Sequence, residues 1–266
     1  LAIDIIPKEK RVSLIGIFGT SGALSNLFGP ALAEFISGKF HFKYVFFAAS
    51  MVAFVWLCFL LLIKNVAPKT VHKEKPANIR DYKNGIILAI IFGTMFSTFF
   101  AFISDYARTI RLQPVSVFFV SYTLFLILLR FIMSRQIDAW NYSRLIRLGF
   151  MLAFFSLIFG GLLFRFSLLS VLAAAGVFYG AAHGFLYPTL NSYFIALTPH
   201  RSSKATLMFI LFFNTGIATA SIGYGFIADL TGYPVMYFFS AAVVIGAFIL
   251  LRGKIKAADH AAASLS

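Results

Sequence analysis

Eight apolar stretches, each about long enough to cross a lipid bilayer, occupy almost the whole 266-residue chain, and no other feature restricts its fold as much. A hydrocarbon layer of about 30 Å takes about 20 apolar residues in helical form. The stretches read as 13–36, 44–63, 85–104, 115–133, 145–164, 168–193, 205–228 and 235–251. Backbone groups inside hydrocarbon must bond within the structure itself, which leaves helices or closed barrels. Ile86 to Phe92 are apolar on consecutive positions and do not alternate, which selects helices. The expected fold is therefore all-α, a polytopic bundle of about eight membrane helices.

Composition agrees. Apolar residues make up 60% of the chain and charged residues only 12%, with 34 Phe, where an ordinary soluble chain is about 25% charged. A net charge of +14 could suggest nucleic acid until the basic residues are placed between the spans. One face receives Lys8, Lys10 and Arg11, the six basic residues from Lys64 to Lys83, then Arg130, Arg135, Arg144, Arg147, Arg201, Lys204, Arg252, Lys254 and Lys256. Of the 23 Lys and Arg, the other face keeps Lys39, Lys43, Arg108, Arg111 and Arg165. The positive-inside rule makes the richer face cytoplasmic, and an even number of spans puts both termini there. The basic excess thus implies topology and anionic lipid, not nucleic acid.

Cys58 is the single cysteine and lies within a span, so no disulfide framework or cysteine metal site is available. Because the chain starts on Leu1, we expect it to be the later part of a longer one. The longest polar interruption, 64–83, carries two prolines and a run of basic residues and reads as a cytoplasmic linker. It divides 1–63, the end of an N-terminal helix bundle, from 84–252, a six-helix bundle. Residues 253–266 are small and polar and read as a loose cytoplasmic tail. Two spans before a basic linker and six after it are what a six-plus-six transporter would show with its first four spans upstream.

Several motifs carry a resemblance. From Asp4 the chain reads DIIPKEKR, then Gly16, eight residues, Ser25, three residues, Gly29-Pro30, two residues, Ala33 and Glu34. The order resembles the antiporter motif of the fifth helix in the drug:proton branch of the major facilitator superfamily. Gly16, Gly29 and Pro30 match, Ser25 and Ala33 are small replacements, and Glu34 departs. The segment from Ser134 to Arg144 resembles the second, degraded copy of that superfamily's loop signature, with Asp138 and Arg144 in place and Ala139 where a basic residue is usual. Thr198-Pro199-His200-Arg201, Asn214-Thr215-Gly216 and the run from Ile227 to Gly232 resemble helices ten and eleven of its sugar- and drug-efflux members. The resemblance implies gating and helix-packing roles for Gly16, Gly29, Pro30, Asp138 and Arg144. Small residues at helical spacing would equally serve plain helix packing.

Gly176, Gly180 and Gly184 recur every four residues, a stripe for close helix contact. Tyr179, His183 and Tyr187 form a neighbouring stripe. His183 lies near mid-span, where an ionisable group should face a cavity or a partner. Thr94, Thr98, Tyr122 and Asn214 are further polar groups at mid-depth that could line a solute path, although Thr often bonds back to its own helix. The candidate substrate-binding set is His183, Tyr187, Asn214, Tyr179, Thr94, Thr98 and Tyr122. No carboxylate sits at a span centre. Proton coupling would therefore fall to His183, whose ordinary pKa is about 6.5, or to Glu34 near an external helix end.

The reading is a membrane transporter in the bacterial inner membrane, working by alternating access as a monomer. It would move a small organic solute without a cofactor or resident metal, with efflux coupled to protons favoured over uptake by symport. No HExxH or paired membrane aspartates support an intramembrane enzyme, and external loops are too short for a receptor's ligand-capping domain.

Overall fold

The computed structural model describes residues 20–62, 82–133, 140–197 and 202–263, and every regular element among them is a helix. The helices are α1 (Thr20–Lys39), α2 (Lys43–Leu62), α3 (Lys83–Phe100), α4 (Ile103–Thr109), α5 (Ser116–Met133), α6 (Tyr142–Leu162), α7 (Leu169–Leu197), α8 (Ser202–Thr231) and α9 (Tyr233–Ala263). Each of the eight expected spans corresponds to one of them, with α4 added after the third. Five reach bilayer-crossing length and apolarity: the run Lys83–Thr109, α6, Leu169–Leu197, Lys204–Thr231 and Tyr233–Leu250. Lys43–Phe59 and Ser116–Ile132 are shorter apolar helices. α1, diluted by Ser25, Asn26, Gly29-Pro30 and Glu34, is the least apolar of the eight.

Two boundaries differ from expectation. The third span breaks at Ala101-Phe102 and restarts as α4, with Asp105 in its first turn, so the first half of the connection expected at 105–114 is helical. The tail expected to be loose instead continues α9 to Ala263. Its KIKAADHAAA composition is rich in the strongest helix former, and nothing in it stops the helix. The linker 64–83 falls almost wholly outside the described residues, as do Gly16 and Asp138.

Helices α3, α5, α6, α7, α8 and α9 pack as one bundle, with the principal pairings α6–α7, α3–α8, α5–α7 and α6–α9. α1 lies against α5, and α2 touches α1. Glycine lets two of these pairings close to backbone contact. A Cβ on Gly180 would strike the carbonyl oxygen of Tyr122, and one on Gly176 would come 2.6 Å from that of Phe118. Across α3 and α8, Gly93 faces the Phe213 carbonyl and Gly216 the Ile90 carbonyl, both too close for any side chain. The stripe Gly176, Gly180, Gly184 read from spacing is thus the seam between α7 and α5. Gly29, by contrast, faces open space in this structure, and α1 runs through Pro30 without interruption.

Hydroxyl pairs add cross-links inside the apolar interior. Ser97 of α3 meets Ser221 of α8 at 2.8 Å, Thr98 meets Ser240 of α9 at 3.0 Å, and Ser156 of α6 donates to the Ala175 carbonyl at 2.8 Å. Such bonds contribute about 0.6 kcal/mol each in membrane bundles, so packing dominates and the hydroxyls fix register. Around them, Phe92, Met95, Phe99, Phe118, Tyr179 and Tyr237 form a continuous buried core. On α2, in contrast, Phe46, Phe47, Met51 and Trp56 are all exposed, a surface suited to lipid or to further helices.

Candidate functional site

The spacing of four between Tyr179, His183 and Tyr187 puts the three rings on one face of α7, and that face meets α5 and α3. His183 is only 9% exposed. Its Nδ1 lies 2.8 Å from the hydroxyl of Tyr122 on α5, one of the two donating to the other. The imidazole is walled by aromatic rings, with centroids of Phe92 at 5.4 Å, Phe96 at 5.8 Å and Tyr187 at 5.5 Å. Tyr187 in turn stands edge-on to Phe209 of α8 at 5.2 Å. Four helices of the bundle therefore contribute to one histidine-centred cluster.

Two neighbours extend it. Asn26 of α1 lies near Tyr122, on the helix that α1 packs against. Arg130, two turns further along α5, is 7% exposed, and its charge acts on Tyr122, Tyr187 and His183. Sequence reasoning missed Arg130 as a site residue because its place at a span end assigned it to the basic cytoplasmic rim. A helical wheel anchored on Tyr122 would have found it, since positions eight apart share a side of the helix. None of the carboxylates with described side chains is buried. A guanidinium beside aromatic rings and a histidine has the chemistry to meet an anionic group on a solute that also carries apolar surface.

The other candidates lie elsewhere. Thr94 donates to the Ile91 carbonyl of its own helix at 2.8 Å. Thr98 donates to the Thr94 carbonyl at 2.9 Å and pairs with Ser240, away from His183. Asn214 sits on the exposed side of α8, one residue from Phe213, which faces the cluster. The structure thus brings together Tyr122, Tyr179, His183 and Tyr187 and leaves Thr94, Thr98 and Asn214 apart from them. The Tyr179 hydroxyl is fully buried and has no hydrogen-bond partner among the described residues, an orphan that a bound solute or water would satisfy.

Glu34 has a different setting. Its Oε1 accepts the backbone N–H of Val115 and its Oε2 that of Ser116, each at 3.0 Å. A carboxylate from α1 thereby caps the start of α5, where unpaired N–H groups and the helix dipole both favour an anion. At the opposite end of the bundle Arg144 stacks over Trp140 at 4.2 Å.

Comparison with known proteins agrees with this architecture. The Major Facilitator Superfamily profile matches residues 1–119 and again residues 85–264. The chain belongs to that superfamily. It is accordingly a membrane transporter's helix bundle and not an enzyme. Among curated relatives, the staphylopine export protein of Staphylococcus aureus (strain Mu50 / ATCC 700699) is 22% identical over 93% of this chain. The chain spans 66% of that relative's length.

Proposed function

We propose that this chain forms the larger part of an exporter that carries a small organic solute with an anionic group, using Tyr122, His183, Tyr187 and Arg130 as its half of the binding site. The observation that supports this most is the Tyr122–His183 hydrogen bond at 2.8 Å, formed from the helix that α1 packs against. Polar groups buried at a bundle interface cost free energy unless used, and such positions in membrane proteins mark solute paths. Arg130 supplies the anion preference, and the rings of Phe92, Phe96 and Tyr187 hold the apolar remainder. Export is favoured over uptake by the partial antiporter motif around Gly29-Pro30 and by the weak likeness to an export protein.

Rocking of the two bundles would open this site to each face in turn, with the basic face cytoplasmic and the membrane that of a bacterial cell. His183 is the group we assign to proton exchange, leaving Glu34 as the external clasp. The test is counterflow and proton flux in proteoliposomes holding the full-length protein. Wild type should move an anionic, ring-bearing solute in one direction and a proton in the other in stoichiometric steps, and His183→Gln should keep solute binding while losing the pH-driven component. Equal pH-driven transport by His183→Gln would reject the coupling role, and equal binding by Tyr122→Phe with Arg130→Gln would reject the site.

A further inference from the structure

A groove of about 420 Å³ opens between α6 and α9, lined by Trp140, Arg144, Arg147, Leu148, Met151 and Phe248, none of them a member of the His183 cluster. Arg144 and Leu148, and Arg147 and Met151, are each four residues apart, so the four side chains form a single stripe along α6. The stripe is graded. Two guanidinium groups occupy its first turn and apolar side chains the next, a rise of about 10 Å from Arg144 to Met151. Arg144 is braced by stacking on Trp140 at 4.2 Å, whose indole is itself stacked on Phe185 with centroids 6.4 Å apart. Arg147 is held by a bond from Nε to the Ser143 carbonyl at 3.1 Å and lines the groove beside Arg144.

We infer that this groove is a binding site for an anionic phospholipid, with the phosphodiester on Arg144 and Arg147 and an acyl chain along Leu148, Met151 and Phe248. Three features select a lipid over a free anion. The walls below the arginines are apolar and open sideways, which a small hydrated ion cannot use. Trp140 stands beside the charges, as aromatic side chains do at headgroup level. The change from charge to apolar surface runs along the axis of α6, a helix of bilayer-crossing length, and matches the order of head and tail in a phospholipid. Occupancy would tie the α6 start to α9 and so brace the outer side of the second bundle.

The experiment uses full-length protein in nanodiscs of equal parts phosphatidylglycerol and phosphatidylcholine, released into the gas phase for native mass spectrometry. Two basic residues at a membrane surface correspond to about a 30-fold preference for anionic lipid, so wild type should retain phosphatidylglycerol and Arg144→Gln/Arg147→Gln should retain both lipids alike. Arg108→Gln/Arg111→Gln removes the same charge from the opposite end and should leave retention unchanged. Met151→Glu, which puts a carboxylate on the acyl wall, should weaken retention while both arginines stay. Undiminished preference in the arginine variant, equal loss in the Arg108/Arg111 control, or displacement of the lipid by millimolar inorganic phosphate would each overturn the assignment.

Discussion

The contact between Glu34 and the start of α5 yields a quantitative prediction. In this structure it joins α1 to the start of α5, at the end of the bundle opposite Arg144, and on the proposed transport role it must break for that end to open. The carboxylate accepts two backbone N–H groups at 3.0 Å and is partly shielded from water. Losing a helix cap costs about 1 kcal/mol, and losing an anion at a helix N-terminus costs up to about 1 kcal/mol more. Glu34→Ala should therefore weaken closure by about 2 kcal/mol, which multiplies the ratio of open to closed molecules about 30-fold. Glu34→Gln retains one acceptor oxygen without the charge and should give about a fivefold change. The readout is the distance between spin labels at Ser37 on α1 and Thr109 on α4, both exposed, in a Cys58→Ser background. Pulsed electron resonance on the full-length protein should show a longer-distance population growing in the order wild type, Gln, Ala. An unchanged distribution in Glu34→Ala, with thermal stability retained, would show that the clasp does not hold this end shut.

Other outcomes follow from the same geometry. Tyr122→Phe leaves His183 without its hydroxyl partner and should cost about 1 kcal/mol or more of stability; an unchanged melting temperature in detergent would contradict the burial of that pair. Arg130→Gln should lower binding of carboxylate-bearing solutes at least tenfold while sparing neutral ones, a split that isothermal titration would reveal and a purely structural arginine would not produce. Gly180→Val drives a side chain into the Tyr122 carbonyl and should cost about 3 kcal/mol or more, eliminating folded protein on size exclusion. Gly246→Ala on α9 meets no neighbouring atom and should be neutral or raise stability by about 0.5 kcal/mol.

The chain's hydropathy made the helices legible because hydrocarbon imposes its own length and leaves the backbone no other way to satisfy itself. Spacing within a helix was equally readable: Gly176, Gly180 and Gly184 form a seam, and Tyr179, His183 and Tyr187 share a face. What crosses between helices was not. The partner of His183 is Tyr122, 61 positions earlier, and the partners of Glu34 are backbone groups 81 and 82 positions later. No local period encodes those meetings, since they depend on which faces the bundle turns toward each other. Arg130 illustrates the point from the other side: a position near a span's end suggested solvent, and only the packing of α5 against α7 places its charge beside the cluster. Thr94 and Thr98 show the common fate of isolated hydroxyls in apolar helices, which is to serve their own backbone or a neighbouring hydroxyl.

Where Gly93 and Gly216 face each other's partner helices, α3 and α8 lie main chain against main chain with no side chains between them to act as bearings. Two rods meshed in that way cannot slide or swivel independently without collision. On the proposed transport role the joined pair tilts as one lever, so a chemical bridge between α3 and α8 should leave turnover intact.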